Sequence, residues 1–142
     1  MRLFPSLTTY PYLIELLITL VIREVPIPNI SLHLLTVADC ISDEVNVSLI
    51  KIANESKIFH LAITPEGTRK ANPNWKKGFY HIAIGANIPI MLIGIDYSKK
   101  CITATKMFYP TGDINKDMNE IKLYFKDFKG KNPENFSIGK IE

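Results

Sequence analysis

The stretch Ile58-Phe-His60-Leu-Ala-Ile-Thr64-Pro65-Glu66-Gly67-Thr68-Arg69 decides how the chain is read. Ile58 to Thr64 is a short apolar run stopped by a proline, the pattern of a buried strand. Residues 65–74 are rich in turn formers and read as a loop. From Trp75 the period changes to that of a helix, with Trp75, Phe79, Ile82 and Ala86 on one face and terminators at Gly85 to Asn87. Ile88 to Ile95 is the strongest strand in the sequence, apolar apart from Pro89 and Gly94. Asp96 to Lys100 reads as a turn, and Cys101 to Tyr109 as a second strand antiparallel to the first. Pro110-Thr-Gly112 breaks it. Asp113 then caps an amphipathic helix carrying Ile114, Met118, Ile121, Phe125 and Phe128, which Gly130 closes. Strand, helix, strand, strand, helix over residues 58–128 predicts an α/β fold with a mixed, mostly buried sheet flanked by helices.

Residues 1–57 are less coherent. Tyr12 to Ile22 is apolar except for Glu15 and Thr19, and is much shorter than the roughly 20 residues of a spanning helix. A buried helix, a membrane-surface helix, and a signal or spanning segment are the readings it allows, in that order. Pro26-Ile-Pro28-Asn29 is a stiff break. Ile30 to Val37 forms a weak strand pattern. Ser42, followed by Asp43 and Glu44, starts a helix in which Val45, Leu49 and Ile52 recur up to Ser56. The sequence therefore divides into an atypical segment 1–57, an α/β core 58–134 and a tail 135–142 without periodicity.

With 142 residues, 46% hydrophobic and 22% charged, the composition excludes disordered, collagen-like and coiled-coil classes. A net charge of +3 does not by itself imply nucleic acid, and no nucleic-acid motif is present. Cys40 and Cys101 stand 61 positions apart, which suggests neither a disulfide scaffold nor a metal cluster.

The loop is where chemistry concentrates. Gly67 permits a sharp turn or a close approach to a ligand. Arg69 offers a planar fork of donors matched to phosphate or carboxylate. Glu66 can accept from a ligand hydroxyl or hold Arg69; a solvated turn with a surface Glu–Arg pair is the plainer alternative. Between Gly67 and Ile95 stand four cations, Arg69, Lys70, Lys76 and Lys77, and no acid. A solvated basic face, an anionic small molecule or an anionic membrane surface would each suit them.

Ile63-Thr-Pro-Glu-Gly-Thr-Arg69 resembles the phosphate-binding block of the 1-acyl-sn-glycerol-3-phosphate acyltransferase family. Trp75-Lys-Lys-Gly-Phe79 resembles that family's following helix start, and Asn87-Ile-Pro89-Ile90 its later block. The likeness spans about residues 57–134 with the blocks in order. It implies the carboxyl-terminal part of the glycerolipid acyltransferase fold. It also implies transfer of an acyl group from acyl-CoA or acyl carrier protein to a lysophospholipid hydroxyl, with no further cofactor and no metal. By the same resemblance Glu66, Gly67, Thr68 and Arg69 would hold the acceptor's phosphate, and Pro89 would help form the acceptor-side wall. The implied setting is the cytoplasmic face of a membrane, as a peripheral or monotopic protein.

The family's catalytic block, a His and an Asp with four residues between them, has no counterpart upstream of the loop. His33 and Asp39 are the candidates, with five residues between them. Six positions turn a helix by about 600°, which separates the two side chains, and span about 20 Å in a strand. His60 and His81 have no acid nearby in sequence. A truncated or rearranged gene would leave such a chain. The alternative to an acyltransferase is an inactive fragment or a lipid-phosphate-binding module that keeps the anion clamp without the base.

Overall fold

The computed structural model describes residues 16–21, 43–66 and 71–141, the first group by its backbone alone. In chain order the elements are strand β1 (Leu16–Val21), helix α1 (Asp43–Glu55), strand β2 (His60–Ile63) and helix α2 (Gly78–Ala86). Strands β3 (Ile90–Asp96) and β4 (Cys101–Phe108) follow, then helix α3 (Ile114–Phe125) and a 3-10 turn at Pro133–Asn135. Among the described residues the molecule is mixed α/β with three helices. The strands lie in the order β2-β1-β3-β4, and every neighbouring pair is antiparallel.

That order corrects two expectations. Tyr12 to Ile22 was expected to be helical, yet its Leu16–Val21 portion is a strand seated between β2 and β3. The apolar run alone fits helix or strand equally; pairing on both edges decides, and branched Ile18, Thr19 and Val21 suit a pleated backbone. The division at residue 57 is consequently not a boundary within the sheet, because an inner strand comes from before it. β2 and β3, each antiparallel to β1, run in the same direction, so β2, α2 and β3 form a split β-α-β unit.

The sheet is not mixed at its hydrogen-bonded ladders, and its burial is uneven. Leu61, Ala62 and Ile63 of β2 and Ile90 and Leu92 of β3 are buried. β4 is an edge strand whose Ile102 and Met107 reach solvent. Its pairing slips between Leu92↔Lys106 and Gly94↔Thr103, which places one extra residue in β4. Ala104 and Thr105 are both exposed at that point, as the broken alternation of a bulge requires.

One apolar cluster joins the helices to the sheet. Phe79, Ile82, Ala83 and Ala86 of α2 and Met118, Ile121 and Phe125 of α3 meet Leu61, Ile63, Ile90 and Leu92. Burying each large side chain contributes about 1.5–3 kcal/mol. The expected faces of α2 and α3 are the observed ones, and Asp113 caps α3 by accepting from the Lys116 amide at 3.1 Å. α1 is rotated from its expected face. Val45 and Ile52 are exposed, while Asn46 and Ala53 are buried beside half-buried Leu49 and Ile50. Gly85 of α2 lets α1 approach, because Ile50 occupies the space that a Cβ there would fill.

Two features of the core were not apparent in the periodicity. Asp117 is 1% exposed, and its carboxylate accepts from Tyr80 Oη at 2.8 Å, the Thr111 amide at 2.6 Å and Thr111 Oγ1 at 2.8 Å. Burial pushes its pKa up, but these bonds outweigh it and the net shift is downward. Burial and the neighbouring carboxylate push Tyr80 up to about 12. The second is the tail, which is packed and not loose. Trp75 Nε1 donates to the Ser137 carbonyl at 2.9 Å, and Phe136 and Ile138 pack on the core. Gly139 adopts φ +69°, and a Cβ there would collide with the Pro73 carbonyl oxygen.

Gly139→Ala should therefore lower stability by about 1–3 kcal/mol, through both left-handed backbone and overpacking. Urea unfolding followed by Trp75, the sole tryptophan, is the measurement, and an unchanged midpoint would detach the tail from the fold. Acid should also unfold the protein through its carboxylates. Asp96, at the end of β3, accepts from Ser98 Oγ at 2.6 Å, Ser98 N at 3.0 Å and Lys99 N at 3.2 Å. The Ser98 hydroxyl foremost, against the opposing effect of burial, and then Lys99 hold its pKa at about 2. A depressed carboxylate stabilises the fold above its unfolded pKa of 3.8 and ceases to do so as pH falls through about 2. The slope of stability against pH across that window should be shallower in Asp96→Asn than in the wild type.

Candidate functional site

The loop leaves the sheet at the carboxyl end of β2. Because β2 and β3 run the same way, this is also the end at which β3 finishes, the edge where open α/β sheets hold ligands. Thr64, Pro65 and Glu66 are all buried, with Glu66 only 3% exposed. The chain thus keeps an acidic side chain inside the fold just before Gly67 in sequence. Gly67, Thr68 and Arg69 themselves lie outside the described residues, as do His33 and Asp39.

Both legs of the loop are fastened. The Lys76 amide donates to the Pro65 carbonyl at 2.7 Å, closing the excursion at its base. Inside that closure, Asn72 Nδ2 donates to the Glu66 carbonyl at 2.8 Å, while Asn72 Oδ1 accepts from the Asn74 amide at 3.0 Å. One amide side chain therefore ties the outgoing strand to the returning turn. Asn72-Pro73-Asn74 carries a turn signature that could have revealed this latch, since an Asn side chain commonly bonds the backbone two residues on. Trp75 then enters the core at 5% exposure, and Lys76 and Lys77 stay in solvent at the start of α2.

The register separates residues that the resemblance implied would act together. Leu61 lies level with Leu20 and Ile90, and Ile63 with Ile18 and Leu92. Pro89, just before Ile90, is accordingly at the His60 end of the sheet, on the order of 10 Å along the strands from where the loop departs. It is half-buried and opens β3, the ordinary place for a strand proline. The register thus does not bring Pro89 and Glu66 together.

The two described histidines are also apart from a shared site. His60 begins β2, at the far end of that strand from Glu66. His81 is exposed on the first turn of α2, edge-on to Tyr80 with ring centroids 6.1 Å apart. Among the described residues no three His, Cys, Asp or Glu side chains gather into a set that could hold a metal ion.

A second polar surface faces the loop's returning leg. Asn74 and Lys77 line a cleft of about 190 Å³ whose other wall is the Asn115, Asn119 and Lys122 face of α3. Sequence reading missed it because Lys122 and Lys140 lie far from the loop in the chain. Compared with protein-family models, curated proteins and solved structures, the chain has no match.

Asn72→Ala removes the bond that joins the loop legs and the local one to the Asn74 amide, each worth about 0.5–1.5 kcal/mol. The variant should lose about 1–2 kcal/mol and expose the Glu66–Asn72 amides to faster hydrogen exchange, with the core amides of β3 unchanged. Unaltered exchange in the loop would mean that the latch does not hold it.

Proposed function

We propose that this chain acts on phosphorylated lipids, with Glu66, Gly67, Thr68 and Arg69 holding the phosphate of a lysophospholipid such as 1-acylglycerol 3-phosphate. An acyl group from acyl-CoA or acyl carrier protein would pass to the acceptor's free hydroxyl. The hydroxyl oxygen attacks the thioester carbonyl, the carbon–sulfur bond breaks, and the thiol leaves while a base removes the hydroxyl proton. What carries this reading is the fastened loop at the carboxyl end of β2, in which buried Glu66 directly precedes Gly67, Thr68 and Arg69 in the chain. A guanidinium on such a loop matches a phosphate's oxygens in pairs.

The base is the open role in this scheme. His33, oriented by Asp39, is the pair the sequence offers. The locations of His60 and His81 favour the second reading: a lipid-phosphate-binding module that retains the clamp and transfers nothing. No helix among the described residues is long and apolar enough to cross a membrane. The proposal therefore seats the protein peripherally or monotopically at the cytoplasmic membrane face, where its acceptor resides.

Incubation with lysophosphatidic acid and radiolabelled acyl-CoA separates the readings. Turnover that His33→Ala abolishes supports the enzyme, and saturable lysophosphatidate binding without turnover supports the module. In either case Arg69→Ala should weaken acceptor binding by about 2–5 kcal/mol, the usual effect of removing one partner of a desolvated charge pair. Wild-type affinity in Arg69→Ala would remove the loop from both readings.

A further inference from the structure

The cleft between the loop's returning leg and α3 is lined by Lys77, Lys122 and Lys140 and by Asn74, Asn115 and Asn119. No carboxylate lines it among the described residues. This is a biased set: 14 acids are spread along the chain, and those on α3 turn elsewhere. Asp117 is buried with Tyr80 and Thr111, and Glu120 is engaged by Lys106 at 2.8 Å. Positions 115, 119 and 122 recur at helical spacing, so one face of α3 presents two amides and an ammonium to the cleft, above the buried Met118. The opposite wall is equally fixed, since Lys76 is tied to Pro65 and Trp75 to the tail.

Lys122 Nζ donates to the Lys140 carbonyl at 2.9 Å. An ammonium has three donors, so two remain, and the bond holds the tail's last lysine against the cleft. Three lysines in one cleft lining, with no carboxylate among them, make a site where a bound anion would meet a net positive charge. The asparagine amides add neutral donors that suit an oxyanion and do not compete for charge.

We infer that this cleft binds a compact phosphate-bearing anion through Lys77, Lys122 and Lys140. The ligand class is a phosphomonoester, either free in solution or as the headgroup of a lipid. The residues are distinct from the Glu66–Arg69 loop, so the inference does not rest on the acyl-transfer reading.

Titration of the nitrogen-labelled protein with inorganic phosphate, against chloride at equal ionic strength, tests it. The side-chain amide signals of Asn74, Asn115 and Asn119 should move saturably with phosphate alone. Asn115→Asp places a carboxylate in the cleft and should weaken phosphate binding at least tenfold. An acid in the first turn of α3 favours the helix, so this variant keeps its fold. Lys77→Gln, at an exposed position, should weaken binding several-fold. Arg69→Ala should leave the three amide responses intact. Glycerol 3-phosphate and phosphatidic acid vesicles then identify the source. Displacement of inorganic phosphate by glycerol 3-phosphate alone indicates a free metabolite, and displacement by vesicles alone a headgroup; both agree with the assignment. Responses equal in chloride, unaffected by Asn115→Asp, or abolished by Arg69→Ala would overturn it.

Discussion

The hydrogen bond from the Lys76 amide to the Pro65 carbonyl is the constraint on which the candidate site depends. A chain leaving a buried strand must return to the core, and this bond fixes where it does so. Trp75 is then delivered inward, while Lys76 and Lys77 remain outside at the start of α2. Asn72 adds a second tie within the first. The described ends of the loop, Glu66 and Asn72, are thereby joined at the sheet's carboxyl edge.

Around that base the fold solves a second problem, the burial of charge. Asp117 is enclosed by hydrogen bonds from two elements, and Asp96 by the turn it initiates. Both carboxylates are held ionised in this way, because bonds to the charged form outweigh the desolvation that would neutralise it. Asp117 and Asp96 are thus taken up inside the structure and at its turn. The lysines of the loop, α3 and tail keep a cleft that is positive along its described lining. Charge separation of this kind arises from where carboxylates are buried more than from the modest net charge of the whole chain.

Much of this was legible in the sequence. The elements from residue 58 onward follow from apolar spacing and punctuation: the Asp113 cap, the left-handed Asn87 terminator and the Asp96–Lys100 turn are local chemistry. The loop after β2 was equally visible, since Pro65 ends the apolar run, and the Lys76 amide closes back on it. The rotation of α1 was not, since Val45 and Ile52 have the right spacing and the wrong neighbours. Which face a short helix buries depends on what it meets, and here Ile50 of α1 lies in the space that Gly85 of α2 leaves open.

By itself, then, the sequence determined the local pieces, because caps, turns and apolar periods act over a few residues. Tertiary structure alone decided that Leu16–Val21 is an inner strand, that Pro89 and Glu66 stand at opposite ends of the sheet, and that lysines 45 and 63 positions beyond Lys77 share its cleft. Each of those facts rests on pairing or packing between segments distant in the chain. The side chains of one segment carry no record of register with another, and the energy that selects it is released only when both are buried together.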